Sequence, residues 1–408
     1  MSDIVWDVLV VGGGVGAVSA ACASAKAGAK TLVIERTGRL GGAYTTNLVQ
    51  PLMGWTRTSH EAVNDILARL AASESKLHDL ALAEAVLDSG GELLLHTWCV
   101  SAVVEDGRVV GVHVLNKEGL HDIRARLVID ASGDGDIAAS AGVPFEKGRI
   151  KDGLTQPMTI MYEVEGQAED AFNCGCEEEA LVLPIGDSTW HEVVMAGRAR
   201  AELPEEVGII RIYSSPTPGR RIINATQINK VDGLSAADLT RAEIAGRRQA
   251  RQVTEFLRKH GPGYEKCRIA EMPAAVGVRE TRRFRGVKTM TLDMLLKGER
   301  QPDAIVREAS FPVDIHNPDG VGQAEGLAQT VQAYDISYGC LVPEGVDGLL
   351  LSGRNISGTH EAHASYRVQK ITMAIGAAAG TAAAECVRQG IQPRDLDVTG
   401  IQTALGIS

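Results

Sequence analysis

The chain has 408 residues, 44% of them hydrophobic and 23% charged, with a formal net charge of −11. This length supports more than one core and makes two domains the natural expectation. The acidity argues against a nucleic-acid surface, and no apolar run nears the roughly 18 residues of a membrane span. Seven cysteines, odd in number and scattered, point to a reducing, cytoplasmic setting. The first strand begins too close to residue 5 to leave room for a signal peptide.

Val8-Leu9-Val10-Val11 predicts a strand buried on both faces of a parallel sheet. Gly12, Gly14 and Ala17 follow at G-x-G-x-x-G/A spacing. Gly12 permits the tight turn, Gly14 admits a pyrophosphate, and Ala17 lets the next helix pack closely. Val15 and Gly16 open that helix, whose N–H groups and dipole favour anions, and Gly28 stands where its C-cap is expected. Thr31 to Ile34 reads as the second strand. Glu35 closes it 23 residues after Gly12, where an acid meets adenosine ribose hydroxyls; the plain alternative is a solvated strand-end carboxylate.

Arg36 precedes Leu40-Gly41-Gly42, a second close approach that a nicotinamide unit does not require and a longer cofactor laid across the sheet does; the pair points to FAD. Glu61 to Ala72 carries a helical pattern. Residues 91 to 115 read as a strand and a hairpin turning at Asp106-Gly107. Leu127 to Asp130 is another buried strand, ending in Ala131-Ser132-Gly133. Strands are expected at 159–164 and 181–185, and a long helix from an N-cap at Ser235 to Lys259, stopped by Gly261-Pro262-Gly263. Cys174-Gly175-Cys176 lacks a second pair at zinc-ligand spacing, and the following glutamates would raise a thiol pKa, so it reads as structural. Val346 to Leu351 forms a strand before Gly353. The Ala- and Gly-rich segment from Lys370 to Arg388 forms a helix suited to close packing.

These motifs, with Gly277 to Arg283, Asp314 to Pro318, Gly353 to Ser357 and His360-Glu361-Ala362, resemble the FAD-dependent oxidoreductases of the glutathione-reductase structural type. Within that type, in the broad group that includes the succinate dehydrogenase and fumarate reductase flavoproteins, they look most like the subgroup of FAD-dependent oxidoreductases whose members are not tied to one substrate. The resemblance covers most of the chain. It implies an α/β fold with a Rossmann-like, ββα-type FAD-binding domain built from residues 1–154 and 336–408, and an inserted mixed α+β substrate domain at 155–335. It further implies FAD with its pyrophosphate at Gly12 to Ala17, its ribose at Glu35 and Arg36, and its flavin near Gly41, Gly42 and the C-terminal segment. Ser132 and Gly133 resemble a small-residue turn that relatives place beside the cofactor. Many relatives carry an acid after the glycine matching Gly353; this chain has Arg354, so Asn355 or a backbone group would take that ribityl contact.

Flavin chemistry asks the protein for position and electrostatics. Lys370 and the N-terminus of its helix suit the N1 side of a reduced flavin, or Lys370 is a surface lysine. By resemblance to fumarate-reductase-like relatives, His360 would move a proton or polarise the substrate and Arg367 would anchor an anion. The alternatives are a loop histidine bonded to backbone and an arginine paired with Glu361. His-x-x-His here is not a zinc-protease motif, so no metal is expected. If Arg279 to Arg283 is a strand, Arg279 and Arg283 share a face toward substrate or flavin, unless the run is a salt-bridged surface. His316 reads as a loop residue over the flavin or a self-satisfied turn. The expected function is hydride transfer between a small polar, possibly anionic, organic substrate and flavin N5. Oxygen, a quinone or a carrier protein remains open as acceptor, as does a homo-oligomer. The rivals are a non-catalytic FAD electron-relay subunit and an NAD-dependent dehydrogenase.

Overall fold

The computed structural model describes residues 4–57, 59–322 and 329–407. β1 (Val5–Val11) feeds α1 (Val15–Lys26) through three glycines, and α1 ends at Gly28, whose φ of 90° is the left-handed conformation of a helix stop. β2 (Thr31–Ile34), α2 (Glu61–Ala72), α3 (His78–Asp88) and β3 (Glu92–Leu94) follow, then β4 (Trp98–Glu105), β5 (Arg108–Asn116) and β6 (Gly119–Asp130). The β4–β5 hairpin turns on Asp106 and Gly107, at φ 48° and 75°, as a D-G turn requires.

α4 (Asp136–Ser140) and β7 (Phe145–Lys147) lead out to an inserted unit. It contains β8 (Met161–Glu165), α5 (Glu177–Val182), β9 (Pro184–Ile185), β10 (Ser188–Thr189), α6 (Trp190–Ala199), β11 (Arg211–Ser214), β12 (Arg220–Asn224), α7 (Ala236–His260) and β13 (Arg268–Glu271). The chain returns through β14 (Arg282–Phe284), α8 (Leu292–Lys297), β15 (Ala304–Ala309), β16 (Tyr334–Ser337) and β17 (Leu349–Leu351). α9 (His360–Tyr366), α10 (Gln369–Gln389) and α11 (Thr399–Gln402) follow.

The main sheet runs β3-β2-β1-β6, all parallel. β6 is long because the edge away from β1 serves two partners: its first half continues the antiparallel meander with β5 and β4, and its second half receives β17 in parallel. This is the Rossmann-like α/β arrangement expected, with β1 at zero exposure from Val8 to Val10. The inserted unit carries an antiparallel sheet, β11-β12-β8-β13. Ser235 caps α7 by accepting from the Asp238 N–H, and the helix stops at Gly261.

Buried apolar residues fall into two clusters. One, from Met158 to Val276, joins the inserted sheet to α6 and α7 around Trp190, Tyr162 and Phe256; Trp190 donates to the Ile210 carbonyl at 3.0 Å. The other is the main core. Residues 284 to 342, which the sequence assigned largely to the inserted domain, give it Phe284, Ile305, Tyr334 and Leu341. The strand expected at 181–185 is instead the end of α5 followed by the two residues of β9, because Glu177 to Val182 completes a helical turn first. The strand expected at 159–164 is β8.

α10 lies in backbone contact with α1. A Cβ on Gly376 would stand 2.0 Å from the Gly16 carbonyl, and one on Gly380 at the same distance from the Ala20 carbonyl. Gly380→Val is therefore expected to cost at least about 2 kcal/mol in urea unfolding, since neither backbone can yield. Gly400→Ala, whose Cβ meets nothing within 4 Å, is expected to shift stability by less than about 1 kcal/mol.

Candidate active site

Two cavities meet above the C-terminal ends of the main sheet. The first, about 230 Å³, runs over the β1–α1 turn and is bordered by Gly12, Gly14, Val15, Gly16, Ala17, Glu35, Arg36, Gly41, Gly42, Ser132, Gly133, Gly353 and Arg354. The second, about 470 Å³, lies between the main core and the inserted sheet, and shares Ala43, Val278, Arg354, Arg367 and Gln369 with the first.

The cleft is shaped by close backbone approaches. Gly12 sits at φ 102°, and a Cβ there would stand 2.6 Å from the Ala131 carbonyl. The Gly41 N–H donates to the Gly13 carbonyl at 2.7 Å, and a Cβ on Gly42 would press on Gly14 at 2.9 Å. Gly14 itself faces open space, with nothing within 4 Å of its would-be Cβ. Helical bonding in α1 begins with Val18 N–H to the Gly14 carbonyl, which leaves the first-turn N–H groups turned outward. The Ser352 hydroxyl, fully buried and without a hydrogen-bond partner, also borders the cleft. A channel of outward N–H groups, one open glycine and an orphan hydroxyl fits a bound pyrophosphate.

Asp130, completely buried at the end of β6, fixes the adjoining turn. It accepts the Ser132 hydroxyl at 2.6 Å and the Ala138 N–H at 2.8 Å, while burial pushes its carboxyl up from the ordinary range. Arg354 borders both cavities and donates to Asp134 at 2.8 Å, so the carboxylate in this part of the cleft comes from Asp134. Asn355 is buried away from both cavities and donates to the Asp130 carbonyl at 3.0 Å.

The larger cavity gathers Arg211, Tyr213 and Asn224 from the inserted sheet with Arg279, Asp314, His316 and Arg367. Arg367 donates to the Asp314 carbonyl at 3.0 Å, and its contacts to the Asp314 carboxylate and the Gln156 side chain are 3.4 Å each. His316 Nε2 stands 3.4 Å from Asp314. Burial opposes ionisation of Asp314, yet His316 and Arg367 hold its carboxyl well below the usual range. Burial and then Arg279 draw His316 down to about 4, against the pull of Asp314, so its ring is neutral near pH 7. Arg279 donates to the Pro157 carbonyl at 2.6 Å.

Three expected residues lie elsewhere. His360 begins α9 and its Nδ1 pairs with fully buried Glu280 at 2.8 Å; it borders neither cavity. Arg283 is buried beside it, bonded to Glu280 and to the Gly358 and Gly148 carbonyls, because β14 is only three residues long and turns this side chain inward. Lys370 borders neither cavity: the first residue of α10 is Gln369, and that side chain faces the junction. Sequence reasoning missed Arg211 and Tyr213, although their alternation with buried Ile212 is a strand signal. Cys176 borders the larger cavity, and all seven cysteines are free thiols; burial pushes Cys174 up to about 11 and raises Cys176 too. Among the described residues no helix is long and apolar enough to cross a membrane.

A family model described as FAD dependent oxidoreductase matches residues 7–405. The chain is 30% identical over 262 residues to digeranylgeranylglycerophospholipid reductase 2 of Methanopyrus kandleri, covering 59% of this chain and 64% of that protein. It is 31% identical over 161 residues to reductase 1 of the same organism, covering 34% and 42%. Both matches thus span less than two thirds of the relative. To thiamine thiazole synthase of Aeropyrum pernix it is 30% identical over 243 residues, covering 52% and 88%. A solved structure described as geranylgeranyl bacteriochlorophyll reductase-like, from Thermoplasma acidophilum, aligns at TM-score 0.49 and 15% identity over 99% of this chain and 83% of that one. These relatives differ from the succinate dehydrogenase and fumarate reductase group that the motifs resemble.

The depressed His316 has a sign that can be measured. Its folded pKa of about 4 lies below the ordinary 6.5, so the unfolded chain binds its proton first. The associated stability is whole above about pH 6.5 and is lost as pH falls toward 4. In urea titrations the wild type is expected to lose up to about 3 kcal/mol more than His316→Gln across that window.

Proposed function

The chain belongs to the FAD-dependent oxidoreductases, and from that premise we propose that it transfers a hydride between a polar, anionic organic substrate and flavin N5 in the larger cavity. The observation that carries this is the junction of the two cavities at the N-terminus of α10, where Arg367 and Gln369 border both. Membership of this family removes the nicotinamide reading, and the cavity with its own acid, base and cations supports direct chemistry over electron relay.

FAD, when bound, supplies the centre that takes or gives the hydride; this chain's residues bind, orient and move protons around it. The first-turn N–H groups of α1 would take the pyrophosphate and Glu35 the adenosine ribose. Glu35 already accepts the Thr37 N–H at 2.8 Å, which aims its carboxylate along the cleft edge. Helical bonding in α10 starts with Thr372 N–H to the Val368 carbonyl, so the N–H groups before it are free to face negative charge on a reduced flavin. Gln369 replaces Lys370 in this role. Arg367, its Nε buried without a partner, would add positive charge beside the substrate anion. His316, neutral and oriented by Asp314, would accept or return the substrate proton. Glu280 holds the Gln156 N–H at 3.0 Å, and the Gln156 side chain faces both the His316 N–H and Arg367; His360 therefore acts as a support for the wall.

The deciding experiment is an anaerobic screen of organic acids against the purified yellow protein, following flavin absorbance. With the substrate so identified, His316→Gln is expected to slow flavin reduction at least about a hundredfold. Reduction at the wild-type rate in both His316→Gln and Arg367→Gln would remove this assignment. A second prediction concerns the cofactor alone. Gly14→Val puts a side chain into the open space over the turn, where a Cβ has no protein atom within 4 Å. FAD affinity in a fluorescence titration should fall at least about a hundredfold, while circular dichroism and apoprotein melting stay unchanged.

A further inference from the structure

We propose that Arg211 and Arg279 form an anion subsite in the larger cavity, taking the carboxylate or phosphate terminus of a substrate whose remaining body is apolar. The inference rests on the hydride-transfer reading of that cavity and narrows its substrate class. The four arginines of the cavity wall are unequally matched. Arg354 is paired with Asp134 at 2.8 Å, and Arg367 is tied to Asp314. The Arg279 guanidinium has the Pro157 carbonyl as its hydrogen-bond acceptor and no carboxylate within ion-pair distance, and the Arg211 guanidinium has neither hydrogen bond nor ion pair among the described residues, though both feel Asp314 electrostatically. Glu177 and Glu178 border the same cavity from α5 and pair with neither.

A guanidinium carries five N–H donors in a planar fork, so the two side chains offer most of their capacity to the cavity. Repulsion among the cations is visible at Arg279, which burial, then Arg367, draw down to about 9 against the pull of Asp314, with Arg211 a smaller contribution. A bound anion relieves that repulsion. The local fold aims Arg211: on β11, Ile212 is buried in the second core while Arg211 and Tyr213 face the cavity. Part of the same wall is apolar, built from Val49, Pro51, Met53, Phe311 and Val368. A wholly polar substrate would leave that wall unused, and a wholly apolar one would strand two cations.

The test uses the FAD-loaded protein and four probes: octanoate, octyl phosphate, octan-1-ol and acetate. Binding is read from perturbation of the flavin spectrum and from thermal melting. Octanoate or octyl phosphate should bind at least tenfold more tightly than both octan-1-ol and acetate, and the tighter of the two assigns the terminus. Arg211→Gln and Arg279→Gln should each weaken that anion at least tenfold while leaving octan-1-ol binding and FAD retention as they were. The proposal is overturned if octan-1-ol or acetate matches the anionic octyl probes, if none of the four binds, or if the anion keeps its affinity in Arg211→Gln. The comparison among probes on the wild type stands even if a variant fails to fold. Should the protein retain no FAD, the hydride-transfer reading fails, and melting of the colourless protein with the same probes still decides the subsite.

Discussion

The cofactor cleft exists because two helices separated by almost the whole chain touch backbone to backbone. α10 presents Gly376 and Gly380 to the Gly16 and Ala20 carbonyls of α1, and any side chain there would force the helices apart. The same approach brings the Thr372 carbonyl within 3.0 Å of a would-be Cβ on Gly16. From this contact follow the position of Gln369 at the junction of the cavities and the burial of Ser352 behind the dinucleotide turn. Close packing of this kind trades the dispersion of larger side chains for proximity of the two helix backbones.

A second layer of organisation is electrostatic and lies just behind the cavity walls. Asp130 and Glu280 are both fully buried carboxylates that draw several donors to themselves, one fixing the turn at Ser132, the other tying Gln156, Arg283 and His360 together. Arginine serves three ends here, separated by how completely each is matched. Arg283 is satisfied on every side and braces the wall. Arg354 and Arg367 are held by one acid each, and Arg211 and Arg279 border the cavity with no acid in ion-pair contact. Burying the matched arginine costs little beyond desolvation, whereas the unmatched pair is tolerable only in a space that a ligand enters.

Much of the fold was legible because its signals are local. The β1–α1 turn, Glu35, the Asp106-Gly107 hairpin and the capped start of α7 all depend on residues within a few positions of one another. The site was legible where it is backbone and obscure where it is side chain. Lys370 and Gln369 differ by one residue, about 100° around a helix, and only packing against α1 decides which faces the junction. His360 looks like an active-site histidine until its partner Glu280, from a distant segment, is placed beside it. Arg211 and Tyr213 sit on a strand with ordinary alternation, and nothing near them in sequence announces that their face lines the same cavity as Arg367. The return of residues 284 to 342 to the main core is likewise a property of long-range packing.

The α1–α10 contact also bears on how the protein is made. Synthesis proceeds from α1 toward α10, so the α10-facing side of α1 and the free edge of the second half of β6 stay uncovered while the inserted unit is translated. The inserted sheet and α7 are contiguous in sequence and have their own core, so they can pack as they emerge. The dinucleotide unit has to wait for its last strand and helix, a long-range closure that is slow for entropic reasons. The Ala- and Gly-rich composition of those facing surfaces then serves a second purpose: an uncovered alanine face is far less adhesive than a leucine face during that wait.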